Sequence, residues 1–409
     1  MGKRFVILGN GIAGYSAAAE IRRQSREAEI TLISEEESAI IRPRLSKICL
    51  QSFQRENIRL GDDSWYEKQG IRQILGRRVE EILPKENRIC LSDGSSYLYD
   101  TGIYALGARC FVPPFPGTDK RGVATVRTAE DMARIRRLTA TAACGAVIGG
   151  GVIGMEMAWE LHQAGCPVTI LEAGPRLMGR LLDEESAGVL CKKAEAQGIP
   201  VFCGVNIQEL TGEGRVTGVK LEDGRWFPAD LVIISCGIRA NTELAEQAGI
   251  LCGQGVLVDD FLQTSHPDFL AAGDCIQWKK PNPGLWNYAR KSGTLAGYYG
   301  VKREERDFLQ KQGGFSPSAE PVIFDCMGTS LFSIGSTEEG EGIETYREGQ
   351  ISGKSRTKRG RFLVNHHEGE NEPYRKFFVK DGLLSGAVLI GDLSGLAEIK
   401  EGIGAPFGK

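Results

Sequence analysis

Two six-residue stretches of this chain have the residue types of a phosphate cradle. Gly9-Asn10-Gly11-Ile12-Ala13-Gly14 and Gly149-Gly150-Gly151-Val152-Ile153-Gly154 both fit G-x-G-x-x-G. Each follows a short apolar run, Phe5-Val6-Ile7-Leu8 or Ala146-Val147-Ile148, and each leads into a helix-forming segment. In that setting the first glycine makes the tight turn, the second lets backbone amides approach a pyrophosphate, and the third lets helix and strand pack closely. The anion then faces the positive end of the helix dipole. An acid should follow to accept from ribose hydroxyls, and Glu35 lies 26 residues after Gly9 while Glu172 lies 23 after Gly149. One such unit alone is a weak signal. Two complete units, each with its acid, predict two dinucleotide sites in one chain.

The acid also bears on the coenzyme. A carboxylate at Glu172 repels the additional phosphate of NADPH, which favours NADH, although Arg176 stands close enough in sequence to accommodate that phosphate. Two sites on one chain suggest one for a flavin dinucleotide and one for a nicotinamide dinucleotide.

The elements that must position these residues follow from the same pattern. The order strand, glycine turn, helix, strand occurs twice, about 140 positions apart, ending in Ile30-Thr31-Leu32-Ile33 and Val168-Thr169-Ile170-Leu171. Continuous apolar strands of this kind are buried on both faces of a parallel sheet, so the fold class is α/β with two Rossmann-like domains. Val112-Pro113-Pro114-Phe115-Pro116-Gly117 reads as a rigid linker out of the first lobe. The second lobe closes with Leu231-Val232-Ile233-Ile234 and Gly237, and a last section begins near Gly313-Gly314. There, Tyr374 to Val379 and Leu384 to Ile390 flank Lys380-Asp381-Gly382, a hairpin signal in a small α+β C-terminal domain.

Composition sets outer limits. At 409 residues the chain is long enough for two or three domains. A net charge of −3 gives no general attraction to nucleic acid or to an anionic membrane. No apolar stretch approaches the roughly 18 residues of a membrane span, and no signal peptide precedes the first strand, so the expected location is the cytoplasm. The 11 cysteines include no C-x-x-C, and most lie in apolar runs; buried reduced thiols are expected rather than disulfides. Four histidines, two of them adjacent at His366 and His367, leave no usable ligand spacing for zinc or an iron–sulfur cluster.

Several shorter motifs join the cradles. Tyr104-Ala105-Leu106-Gly107-Ala108-Arg109 is similar to an A-T-G-x-R stretch, with Leu106 in place of Thr. Ala271-Ala272-Gly273-Asp274, Ser235 to Thr242 around Gly237, and Gly149 to Glu156 (G-G-G-x-I-G-x-E) also match. Together they resemble the FAD-dependent pyridine nucleotide-disulfide oxidoreductase superfamily, over residues 5 to about 300. Arg42-Pro43-Arg44-Leu45-Ser46-Lys47 and Gly284-Leu285-Trp286-Asn287 resemble the subgroup of NADH:rubredoxin reductases and nitrite reductase flavin domains.

That resemblance implies a FAD-binding domain in two parts, 1–112 and 239–314, a NAD-binding domain over 113–238, and an interface-like domain over 315–409. It implies cofactor contacts at Gly9, Gly11, Ala13, Gly14, Glu35, Arg42, Pro43, Lys47, Val79, Ala105, Gly107, Arg109, Gly149, Gly151, Val152, Ile153, Gly154, Glu172, Gly237, Gly273, Asp274 and Trp286. It further implies that Lys47 and Glu156 form an ion pair on the N5 side of the flavin, with Lys47 steadying negative charge and Glu156 holding the ammonium. Trp286 is expected near the ring. Disulfide reductases of the superfamily carry a C-x-x-x-x-C pair where this chain has Ile40-Ile41-Arg42-Pro43-Arg44, so disulfide reduction is disfavoured. Cys49, two residues past Lys47, is expected to be buried packing on the same helix.

The function expected is transfer of hydride from NADH to FAD and of electrons onward to a small redox protein such as rubredoxin. An NADH oxidase reducing oxygen and a flavin-bearing redox sensor are the alternatives. The cationic run Lys354 to Arg361 is either a docking loop or merely solvated. The state is monomer or dimer.

Overall fold

The computed structural model describes residues 2–305, 313–317, 319–347 and 373–408. The run Lys354 to Arg361 lies outside the described residues. Two five-stranded parallel sheets form the body. In the first, the strand order is Phe269–Ala271, Thr101–Tyr104, Arg4–Leu8, Glu29–Ile33, Ile71–Ile74. In the second it is Val201–Cys203, Val168–Glu172, Gly145–Ile148, Leu231–Ile234, Val123–Ala124. The apolar runs at the centre of each sheet are buried from end to end, as strands covered on both faces must be.

The first sheet is built from chain segments far apart in sequence. Its edge strand Phe269–Ala271 arrives after the whole second sheet, followed by the helix Trp286–Val301. That helix lies against Ile12–Gln24, the helix of the first glycine loop. A Cβ on Gly293 would stand 2.2 Å from the Ala13 carbonyl oxygen and one on Gly297 2.5 Å from that of Ala17. Only glycine permits this approach. A two-stranded ribbon, Ala108–Cys110 against Ile238–Ala240, joins the two bodies.

The C-terminal sheet is antiparallel, in the order Val322–Cys326, Thr329–Gly335, Leu383–Ile390, Tyr374–Lys380, Ile343–Arg347. The expected hairpin is present, with Asp381 at φ 52° and Gly382 at φ 75°, the paired left-handed residues of a tight hairpin turn. The sheet is tied to the second body by Lys376, whose ammonium lies 2.5 Å from Asp183, 3.0 Å from Glu185 and 2.5 Å from Glu339. Burial disfavours its charge, but the three carboxylates outweigh that and raise its pKa.

Two expectations are corrected. The helix expected to carry Lys47 and Cys49 is two 3-10 turns, Arg42–Lys47 and Leu50–Ser52, with an exposed Cys49 between them. The stretch is held by tertiary bonds, from Ile41 N to the Ile58 carbonyl and from Leu50 N to Glu160, instead of a continuous helical ladder. All 11 cysteines are free, but Cys166, Cys275 and Cys326 alone are buried; many of the others sit at strand ends or loops, where the apolar run has stopped.

Candidate functional site

Both glycine loops have the geometry their residue types demand. Gly9 and Gly149 stand at φ 107° and 110°, a region that side-chain-bearing residues rarely adopt. A Cβ on Gly9 would lie 2.2 Å from the Ala105 carbonyl oxygen, and one on Gly149 2.3 Å from that of Ser235. A Cβ on Gly14 or Gly154 would lie 1.9 Å from the carbonyl oxygen of its own loop's first glycine. The middle glycines differ: a Cβ on Gly11 or Gly151 would meet nothing within 4 Å. Neither following helix has a side-chain cap or an acid in its first turn. The space and the unsatisfied N–H groups are therefore left for an external anion, and both loops fit a dinucleotide pyrophosphate.

Around the first cradle, Glu35 is exposed just past its strand and makes no side-chain hydrogen bond to the described residues. Asn10 is buried, accepts from the Tyr66 hydroxyl at 2.9 Å, and has an amide nitrogen with no partner. Tyr15, Trp65 and Tyr66 form an aromatic layer behind it. Asp274, after Gly273 at φ 86°, accepts from Arg127 at 2.7 Å. Arg42 binds Glu36 at 2.7 Å and the Arg127 carbonyl at 2.6 Å; Pro43 beside it is exposed. Arg127 has a buried Nε without a partner. Sequence reasoning missed this guanidinium. The only legible signal was the capping box from Thr128 to Asp131 directly after it, which marks a helix start but not what precedes it.

Other expected positions separate into two groups. Ala105 and Gly107, the latter at φ 64°, line the loop opposite Gly9 and Arg127. Trp286 is half-buried at the start of its helix, and Gly284 beside it approaches Ile238. Val79, by contrast, is a buried core residue at the start of a meander strand. Arg109 is exposed on the ribbon, bound to Glu243 at 2.6 Å and to Asn241 at 3.1 Å.

At the second cradle, Glu172 accepts from Gly150 N and, at 2.6 Å, from Gly174 N. Ile153, at the start of the helix Val152–Gln163, is 40% exposed, and Gly237 is exposed at φ 98°. Arg176 donates to the Leu182 carbonyl at 2.9 Å and to the Gly179 carbonyl, so its guanidinium is already engaged. Cys236 donates to the Ile148 carbonyl, and burial pushes its thiol up to about 11.

The helix Val152–Gln163 carries Glu156, one turn after its start. It is 3% exposed and accepts the Ser46 hydroxyl, and its second oxygen lies 3.5 Å from Lys47 Nζ without a hydrogen bond. Burial raises its pKa, opposed by Ser46 and Lys47. This contact joins a loop of the first body to the helix of the second cradle.

Comparison with known proteins agrees with this layout. Residues 3–293 match the family described as pyridine nucleotide-disulphide oxidoreductase, and residues 357–405 match the rubredoxin NAD+ reductase C-terminal domain. The chain is 34% identical over 279 residues to the ferredoxin–NAD(+) reductase subunit of the benzene 1,2-dioxygenase system of Pseudomonas putida, covering 68% of each chain. It is 30% identical over 395 residues to nitrite reductase [NAD(P)H] of Bacillus subtilis (strain 168), which covers 96% of this chain but 46% of that protein; the chain thus spans about half of that relative's length. The ferredoxin reductase for the CYP199A2 system of Rhodopseudomonas palustris superposes with a TM-score of 0.80 at 26% identity, over 95% of this chain and 91% of that one. Among the described residues no helix is long and apolar enough to cross a membrane. The chain belongs to the pyridine nucleotide-disulphide oxidoreductase family, as an NAD(H)-dependent oxidoreductase that uses FAD.

Proposed function

We propose that this chain oxidises NADH and delivers the electrons to a small iron-containing protein of rubredoxin type. The first cradle holds FAD and the second NADH. The observation that carries the reading is the Lys47–Glu156 contact, because it places a paired ammonium where the two cradles' bodies meet. When bound, FAD accepts a hydride from the nicotinamide and releases electrons singly. The chain's own residues bind and orient. Gly11 and Gly151 admit the pyrophosphates, and Arg127 with Asp274 borders the flavin side of the first cradle. Lys47 offers positive charge toward the ring, and Glu156 holds Lys47 in place from a desolvated position. Glu172 faces the ribose and Arg176 is occupied elsewhere, which favours NADH over NADPH. The match of residues 357–405 supports rubredoxin as the acceptor class.

The test is anaerobic mixing of the yellow protein with NADH, followed by an acceptor series. Flavin absorbance should bleach, and rubredoxin should restore it faster than a [2Fe–2S] ferredoxin or oxygen does. Failure to bleach would sink the reading. Recovery by oxygen alone would replace the acceptor protein with an oxidase activity.

A further inference from the structure

The helix Val152–Gln163 carries a second carboxylate, Glu160, one turn after Glu156, so the two project from one face. Glu160 accepts from Leu50 N at 3.2 Å, while Glu156 accepts from Ser46. Ser46 and Leu50 bracket Lys47 in a stretch lacking a continuous helical ladder. One helix thus grips the Lys47 segment at both ends. The strand Val322–Cys326 packs against the same helix. The ionisable groups facing the pair are Lys47 from the loop and Cys326 from this strand.

We propose that Glu160 is a positioning residue for Lys47, pinning its segment through the Leu50 amide and acting on the Glu156–Lys47 pair through its negative charge. The proposal rests on the roles given above to Lys47 and Glu156. Two carboxylates sharing a poorly solvated face with one ammonium resist ionising together. Burial raises Glu160, and the neighbouring Glu156 raises it further. No substrate bond is made or broken here; the pair exchanges one proton with solvent. As pH falls, Glu160, raised by burial and by the charge on Glu156, takes that proton and its hold on the Leu50 amide weakens, loosening the segment that carries Lys47.

Glu160→Gln and Glu160→Ala separate the two actions, since Gln keeps an acceptor for Leu50 N without the charge. In the FAD-loaded protein without NADH, amide hydrogen exchange at Leu50 should quicken about tenfold or more in the Ala variant and stay near wild type in Gln. The acid limb of flavin reduction by NADH should move down by about one pH unit in Gln, a tenfold change in proton concentration. An acid limb unmoved in Gln, or Leu50 exchange unaltered in Ala, overturns the proposal. Wild-type protein that NADH does not reduce would instead defeat the wider functional reading, and the exchange result would still judge the clamp.

Discussion

The two cradles share their backbone almost to the degree, with first glycines at φ 107° and 110° and middle glycines at φ −76° and −78°, yet they are finished differently. The first is walled by side chains: Asn10 under Tyr66, the stacked Tyr15 and Trp65, and Arg127 locked to Asp274. In the second, the residue matching Asn10 is Gly150, whose Cβ would strike Leu177 at 2.5 Å, and the acid binds the loop's own Gly150 amide together with that of Gly174. The lesson is that an identical turn can serve a resident group or a passing one. What differs is how much ordered side chain surrounds it, because each group fixed in advance lowers the cost of ordering on binding.

That contrast can be broken most severely at the first glycines. Gly9→Ala should yield colourless protein, since strain on the order of 1–3 kcal/mol adds to a clash with Ala105. Gly149→Ala should remain yellow but resist bleaching by NADH. Absorbance of the purified variants decides both, and a yellow Gly9→Ala protein would refute the assignment of the cradles. Next in size, Arg127→Ala should weaken FAD binding by about 10- to 100-fold, the worth of a hydrogen bond to a charged group, with NADH affinity little changed; FAD titration of the apoprotein measures it. Glu172→Gln should narrow the preference for NADH over NADPH about tenfold by removing one repulsive charge, seen as a ratio of kcat/KM values. The smallest effect concerns the thiol at the second cradle. With Cys236 pushed up to about 11, alkylation followed by mass spectrometry should be slow at pH 7 and accelerate as the pH approaches that value.

Much of this was legible in the sequence because it depends on residues close together. The glycine turns, the apolar strands and the Lys380-Asp381-Gly382 hairpin are local decisions, and each element formed where its residues indicated. The Lys47–Glu156 contact was legible through resemblance. What stayed hidden depends on the meeting of distant segments. Cys49 was expected on a helix face, but the fold gave its neighbour Leu50 N–H to a glutamate 110 positions away. Arg127 carries no motif, and its role emerges only when Asp274, 147 residues later, comes beside it. Lys376 reads as an ordinary strand lysine until three carboxylates from other elements surround it.

The late arrival of strand Phe269–Ala271 and its helix has a consequence for biosynthesis. A ribosome releases the first four strands of that sheet before residue 105, but one edge of Thr101–Tyr104 stays open until residue 271 has emerged. The second sheet is complete by residue 234 and can fold in between. The nascent first lobe must wait with an unpaired strand exposed, a hazard for misassociation that a chaperone or early flavin capture would relieve.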